Sequence, residues 1–326
     1  MQYAFLGRTG MKVSRLCLGT WNFGTYTDEA EAFRIMDAAL EAGINFFDTA
    51  NHYPDFVNCG RSETFIGRWF AQGGQRREKV VLATKVSQPM KDPLDGPNDE
   101  QGLSKYIIRR HAEGSLRRLQ TDHIELYQMH HIDRRTSWEE IWEAFEILVH
   151  AGKIGYVGGS NFAGWHMAMA QAAAAKRNFF GLASEQHKYG LMCRLPELEV
   201  LPAAKALGIG VMAYSPLGAG MLSGHVLKTE PGSRIASWGG CPEHLRGKLE
   251  AYEKLCREIG APEAAVALAW VLAHPAMTSV VIGPRTAAQV TTALRALEVS
   301  LDESAMKQLN DLFPGPGGQT PEAYAW

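Results

Sequence analysis

Residues 45–53 read NFFDTANHY. An apolar run gives way to an acid, two small residues, a polar pair and a tyrosine. Ile44 to Phe47 reads as a strand that follows a helix closed by Gly43. Asp48 and Tyr53 then fall just past the C-terminal end of that strand, where α/β sheets and barrels keep their chemistry. Two further strand ends carry ionisable groups: ATKV with Lys85, and LYQMHHID with His130.

Outward from this stretch the same alternation repeats. A turn cluster, GRTG, centres a β-hairpin over residues 3–14, and RLCLG at 15–19 is a buried-strand candidate. Further strands are expected at 79–85, 124–129, 154–158, 182–186, 209–214 and 279–282. Helices are expected at 28–42, 62–71, 104–119, 138–150, 164–176, 199–207, 245–259, 262–272 and 287–297. Short apolar strands that alternate with amphipathic helices imply parallel βαβ units. Eight such units imply an α/β fold, a closed (β/α)8 TIM barrel with an N-terminal β-hairpin. A doubly wound open sheet would want a G-x-G-x-x-G after an early strand, and Gly24 has no such company. Two loops exceed ordinary length, Gln88 to Gly102 and Ser215 to Cys241. Both belong to the C-terminal face of the expected barrel.

Composition narrows the function class. The 326 residues, 46% hydrophobic and 21% charged, suit an ordinary globular enzyme and one barrel domain over residues 1–326. A formal net charge of -2 gives no basic face for nucleic acid. No apolar run is long enough to span a membrane, and no signal peptide is visible at the N-terminus. The five cysteines are scattered, without a C-x-x-C pair, which argues against zinc and a disulfide framework. A reducing, cytoplasmic compartment is expected. Oligomeric state, monomer or homo-oligomer, is not legible.

On the barrel reading, Asp48, Tyr53, Lys85 and His130 share one rim. Such a set suits protonation of a carbonyl oxygen while hydride arrives at carbon. A phenol is a weak acid at neutral pH. A lysine cation beside it lowers its pKa, and Asp48 would keep that lysine charged. A histidine within reach of the same oxygen can orient it or share the proton. No metal is required. The alternation of β residues places His131 on the face opposite His130, in the core or against a helix.

The matching stretches LGTWNFG, NFFDTANHY, ATKV, LYQMHHID, YVGGSNF, SEQHKYGL, AYSPLGAGMLSG and VIGPRTAAQV occur in order along almost the whole chain. In these the chain resembles the aldo-keto reductases. The resemblance implies a tetrad of Asp48, Tyr53, Lys85 and His130, with Tyr53 as the acid, and a nicotinamide cofactor bound without a Rossmann fold. Ser160, Asn161 and Gln186 would hold the carboxamide, and Tyr214 would stack on the nicotinamide ring. Ser215, Pro216, Leu217, Gly220 and Leu222 would follow the pyrophosphate. Ile282, Gly283, Arg285 and Gln289 would meet the adenosine half, while Gly19, Thr20 and Trp21 border the cofactor from the first strand. Arg285 suits a phosphate monoester, so the resemblance favours NADPH.

The chain is set against the family pattern at three places, one of them Tyr214 at the common Trp-Ser-Pro or Tyr-Ser-Pro site. Ala293 stands where many relatives have Asn, and PDFVNCGRSE follows Tyr53 in place of a short Gly-rich link. Within the family the resemblance points to a bacterial branch of aryl-alcohol dehydrogenases and keto-deoxysugar reductases. The substrate is then a small-molecule aldehyde or ketone. Arg134, Arg135 and Arg194 are candidates for a basic pocket suited to a sugar nucleotide. Trp21, Phe56, Trp238 and Trp326 are candidate pocket aromatics, and Trp165 to Ala175 is expected to be core. The competing expectation is an NADPH-holding redox-sensing accessory module, similar to the β-subunits of ion channels, with little turnover.

Overall fold

The computed structural model describes residues 1–224 and 240–325. Strands β1 (Tyr3–Phe5) and β2 (Lys12–Ser14) pair antiparallel as the expected hairpin. Eight parallel strands then close a barrel: β3 (Leu16–Gly19), β4 (Phe46–Asp48), β5 (Val81–Val86), β6 (Ile124–Met129), β7 (Ile154–Ser160), β8 (Leu182–Lys188), β9 (Gly210–Tyr214) and β10 (Met277–Ile282). Each strand neighbours its sequence predecessor, and β10 closes on β3 through Val280–Leu16 to Ile282–Leu18.

The outer ring holds α1 (Glu29–Glu41), α2 (Arg61–Phe70), α3 (Lys105–Leu119), α4 (Trp138–His150) and α5 (Gly164–Lys176). It continues with α6 (Val200–Leu207), α7 (Glu243–Ile259), α8 (Glu263–Ala273), α9 (Ala287–Leu294) and α10 (Glu303–Leu312). Asp28, Ser104, Ser137 and Asp302 cap α1, α3, α4 and α10 by accepting from backbone N–H groups of the first turn. The last of these helices was not expected, although Asp302 is a readable cap. Its stretch, SAMKQLNDL, has few apolar residues to mark a period.

Period-two alternation decides what each strand sends inward. Phe47, Leu82 and Tyr127 pack outward against the helices, while Phe46, Ala83 and Leu126 point into the barrel. One step further along the same inward rows come Asp48, Lys85 and Gln128, all buried. The barrel therefore has an apolar lower layer and a polar upper layer. Leu6 and Val13 of the hairpin join the lower layer and close the bottom. There Gly7 and Gly210 meet backbone to backbone: a Cβ on Gly7, at φ +56, would lie 2.5 Å from the Gly210 nitrogen.

The loop at 88–102 is not structureless. A 3-10 turn at Pro93–Asn98 is pinned by ion pairs from Arg110 to Asp92 and Asp95. On α5, Met167, Ala170 and Ala174 are buried, but Trp165 and Met169 are half exposed, so the expected core stretch is core on one face only. Among the described residues no helix is long and apolar enough to cross a membrane.

Candidate active site

The upper layer is organised around Lys85, which is fully buried. An ammonium has three N–H donors, and all are used. Nζ donates to Asp48 Oδ2 at 2.6 Å, to the Thr49 carbonyl at 2.9 Å and to the Tyr53 hydroxyl at 3.3 Å. The other Asp48 oxygen, Oδ1, accepts from Gln128 Nε2 and Gln186 Nε2, both at 2.9 Å. A buried ion pair is tolerated when its remaining lone pairs are satisfied in this way. Burial pulls the Lys85 pKa down, but Asp48 and Tyr53 outweigh it and hold it above the ordinary value. The lysine is a cation at neutral pH.

Tyr53 behaves differently from the sequence expectation. Lys85 does pull its phenol down, but burial pushes it up more strongly, with Asp48 adding to the rise. The net direction is above the ordinary value of 10, because the closed barrel desolvates the phenolate. Tyr53 is therefore a protonated phenol, with the Lys85 ammonium also lying 4.8 Å from its ring centroid.

His130 follows directly on β6, its N–H held by the Val86 carbonyl at 2.8 Å. Its ring centroid lies 5.7 Å from that of Tyr53 and 4.9 Å from that of His52. Burial first, then Lys85, His52 and His131, hold it well below the ordinary imidazole range. Its Nδ1 is buried without a hydrogen-bond partner. A stranded acceptor costs less than a stranded N–H, so the neutral ring carries its proton on Nε2, toward the cavity that it lines. His131 is not on the opposite face. The strand ends at Met129, so alternation no longer applies, and His131 stacks on His130 at 5.9 Å and 10° and lines the same cavity.

The next wall is a linked set. Asn161, in a left-handed conformation at φ 61, donates from Nδ2 to the His130 carbonyl and to Ser160 Oγ. Its Oδ1 accepts from the Tyr214 hydroxyl at 2.8 Å. Ser160 Oγ donates to the Gln186 carbonyl at 2.9 Å. Beneath them the buried Glu185 accepts from Phe162 N at 2.8 Å, and burial raises its carboxyl well above the ordinary range. The far wall is tied to the first strand's loop, since Asn22 Nδ2 donates to the Gly283 carbonyl at 2.8 Å. Arg285 N donates to Gln289 Oε1.

These groups border one cavity of about 870 Å³. Gly19, Thr20, Trp21, Asp48, Tyr53, His130, Ser160, Asn161, Gln186 and the Tyr214–Leu217 run line it, with Gly220, Ile282, Gly283, Arg285 and Gln289. Lys85 lies beneath the Tyr53 hydroxyl, and Leu222 is fully buried in the core. Ala293 is on the wall as well. Arg135 is held by Glu100 and Asp133, and Arg194 by Glu197, Asn310 and the Phe313 carbonyl. Neither these two nor Arg134 lines the cavity, so the expected basic pocket does not assemble from them among the described residues. Trp238 and Trp326 lie outside the described residues, as does much of the second long loop.

Sequence reasoning missed Gln128, Asn22 and His52. Gln128 shares the inward row with Leu126, so alternation alone could have found it. The segment after Tyr53 is ordered by Asp55, which accepts from Thr25 Oγ1, from Val57 N and Asn58 N and from Asn58 Nδ2. Burial pushes its carboxyl up, but these bonds win and bring it down to about 2. The lip is thus a built turn, and Phe56 on it stacks on His52 at 5.2 Å and 19°.

A phenol, a buried cation and a neutral imidazole meet on the C-terminal rim of a (β/α)8 barrel, the face on which such barrels keep their chemistry. Comparison with known proteins gives the family. The model of the Aldo/keto reductase family matches residues 15–313, and the chain belongs to that family of oxidoreductases. It is similar to the "Uncharacterized oxidoreductase YrpG" of Bacillus subtilis (strain 168), 63% identical over 326 residues and all of both chains. It is also similar to the "Putative aryl-alcohol dehydrogenase AAD16" of Saccharomyces cerevisiae, 30% identical across 94% of this chain and 96% of that one. A "Probable voltage-gated potassium channel subunit beta" of Oryza sativa subsp. japonica is 32% identical across 92% of each.

Proposed function

We propose that the protein reduces an aldehyde or ketone with NADPH. The carrying observation is the Asp48–Lys85–Tyr53 chain of hydrogen bonds, which ends on a phenol that lines the cavity beside His130. The donor set fits the cofactor. Asn161, Gln186, Ser160 and Tyr214 line the cavity, and so do Arg285 and Gln289. Such a set suits a flat amide-bearing ring joined to a phosphate-bearing nucleotide. When bound, NADPH supplies hydride for the carbonyl carbon.

The chain's own residues handle the oxygen. His130 Nε2–H and the Tyr53 hydroxyl converge on it and orient it. As the oxygen gains negative charge it becomes far more basic than a phenolate, so the Tyr53 proton moves to it even though burial has raised that phenol. The phenolate left behind sits beside the Lys85 ammonium, which stabilises it until solvent returns a proton. Asp48 keeps Lys85 in place and charged. The five cysteines are all free, which supports a cytoplasmic setting.

The direct test is NADPH oxidation with a panel of aldehydes and ketones, run in parallel with NADH and with Arg285→Ala. Turnover is expected with at least part of the panel. Arg285→Ala is expected to raise KM for NADPH by roughly tenfold or more, and much less for NADH, since the lost partner is the extra phosphate. Tight NADPH binding without turnover on any carbonyl would instead favour a redox-sensing binding module.

The pH profile follows from the two shifts. The acid form of Tyr53 exists below its raised pKa, and the neutral form of His130 exists above its lowered one. Between them, kcat/KM for reduction is expected to be flat from about pH 6 to about pH 9. An inflection near the ordinary imidazole pKa that vanishes in His130→Gln would contradict a neutral His130.

A further inference from the structure

His52 lines the cavity next to Tyr53 and has no part in the chemistry above. Its ring is held from two sides. Phe56 stacks on it at 5.2 Å and His130 lies 4.9 Å away, with the Tyr53 ring edge-on at 5.1 Å. Its Nδ1 is buried without a partner, as is that of His130, so Nε2 is the nitrogen left to the cavity. Burial first, then Lys85 and His131, lower its pKa to about 4, so the ring is neutral. A stranded acceptor again costs less than a stranded donor, which puts the proton on Nε2. Of the three histidines on the cavity wall, His52 and His130 thus present neutral imidazole donors side by side, where orientation of one carbonyl oxygen needs only His130.

We propose that His52 is a specificity-determining residue, which donates its Nε2–H to a second oxygen beside the reacting carbonyl. The preferred substrates are then aldehydes or ketones that carry a hydroxyl or a second carbonyl on the adjacent carbon. Donor rings whose centroids are 4.9 Å apart are close enough to serve two oxygens of one small substrate. The stack on Phe56 keeps the donor in place without a bound substrate, so its orientation entropy is largely lost in advance. The inference rests on the carbonyl-reductase reading.

The test compares hydroxyacetaldehyde with propanal, which has a methyl in place of the hydroxyl, in the wild type and in His52→Phe. The variant keeps an aromatic ring on Phe56 and loses the nitrogens. Intrinsic electrophilicity cancels when the ratio of the two kcat/KM values is compared between proteins. The ratio is expected to fall by about tenfold or more in His52→Phe. Equal losses on both substrates, or none on either, would overturn the inference while leaving carbonyl reduction standing. A wild type that binds NADPH but reduces neither compound nor any other carbonyl would overturn both. Should His52→Phe fail to fold, as read by its thermal midpoint, His52→Leu carries the test: it also loses both nitrogens, so the same fall of about tenfold is expected, and an unchanged ratio would refute the assignment.

Discussion

Tyr53→Phe is expected to lower kcat for carbonyl reduction by roughly a hundred- to ten-thousand-fold, the usual contribution of a positioned general acid. The substitution removes one oxygen and keeps the ring. Lys85 still has Asp48 Oδ2 and the Thr49 carbonyl, so the polar layer keeps two of the ammonium's three bonds. NADPH affinity, measured by fluorescence titration, should change little, because the proposed role of the hydroxyl is toward the reacting oxygen rather than the nucleotide. The loss should appear in kcat and in kcat/KM together, as for an interaction made in the transition state. A variant that retains wild-type turnover would show that the proton comes from elsewhere, His130 being the nearest alternative. A variant that loses NADPH binding as well would show that the hydroxyl shapes the cavity rather than the chemistry.

Lys85→Met should be the most damaging single change in the barrel. It leaves the Asp48 carboxylate buried with only the two glutamine amides for partners. Breaking a buried pair from one side costs about 3–5 kcal/mol, because the surviving charge is uncompensated. Denaturant unfolding should show that loss as a lower midpoint. Activity should fall with it, since no cation remains to stabilise the phenolate. The double variant Lys85→Met with Asp48→Asn separates the two effects. Its stability should recover most of the loss, as replacement of both charged partners is often nearly neutral. Its turnover should not recover. Wild-type stability in Lys85→Met alone would mean that the Lys85–Asp48 pair does not support the barrel, and the site electrostatics would need a different account.

Much of the site was legible because the period of a strand is local. Once Ala83 is inward, Lys85 is inward; once Phe46 is inward, so is Asp48. His131 was misplaced for the complementary reason. It lies beyond the last residue of its strand, where the alternation has stopped and the loop's own course sets direction. Lys85 and Tyr53 were read correctly as neighbours, yet the direction of the phenol's shift was not. That direction depends on how much water the closed barrel excludes, and no spacing along the chain reports it. Arg135 and Arg194 show the same limit for cations: Glu100 and the Gln101 carbonyl hold the one, Asn310 and the Phe313 carbonyl hold the other, and neither lines the cavity.

The amino-acid sequence alone determined the alternation of strands and helices, the hairpin, and which residues within each strand turn inward. Those follow from periodicity and capping within a few residues of each position. The tertiary structure decided what those residues meet. Gln186 reaches Asp48 across 138 positions, and His52 lies against His130 only because two rim loops converge. Barrel closure brings such groups together and removes their water in the same step. Partner choice and protonation at the NFFDTANHY stretch are therefore properties of the closed barrel.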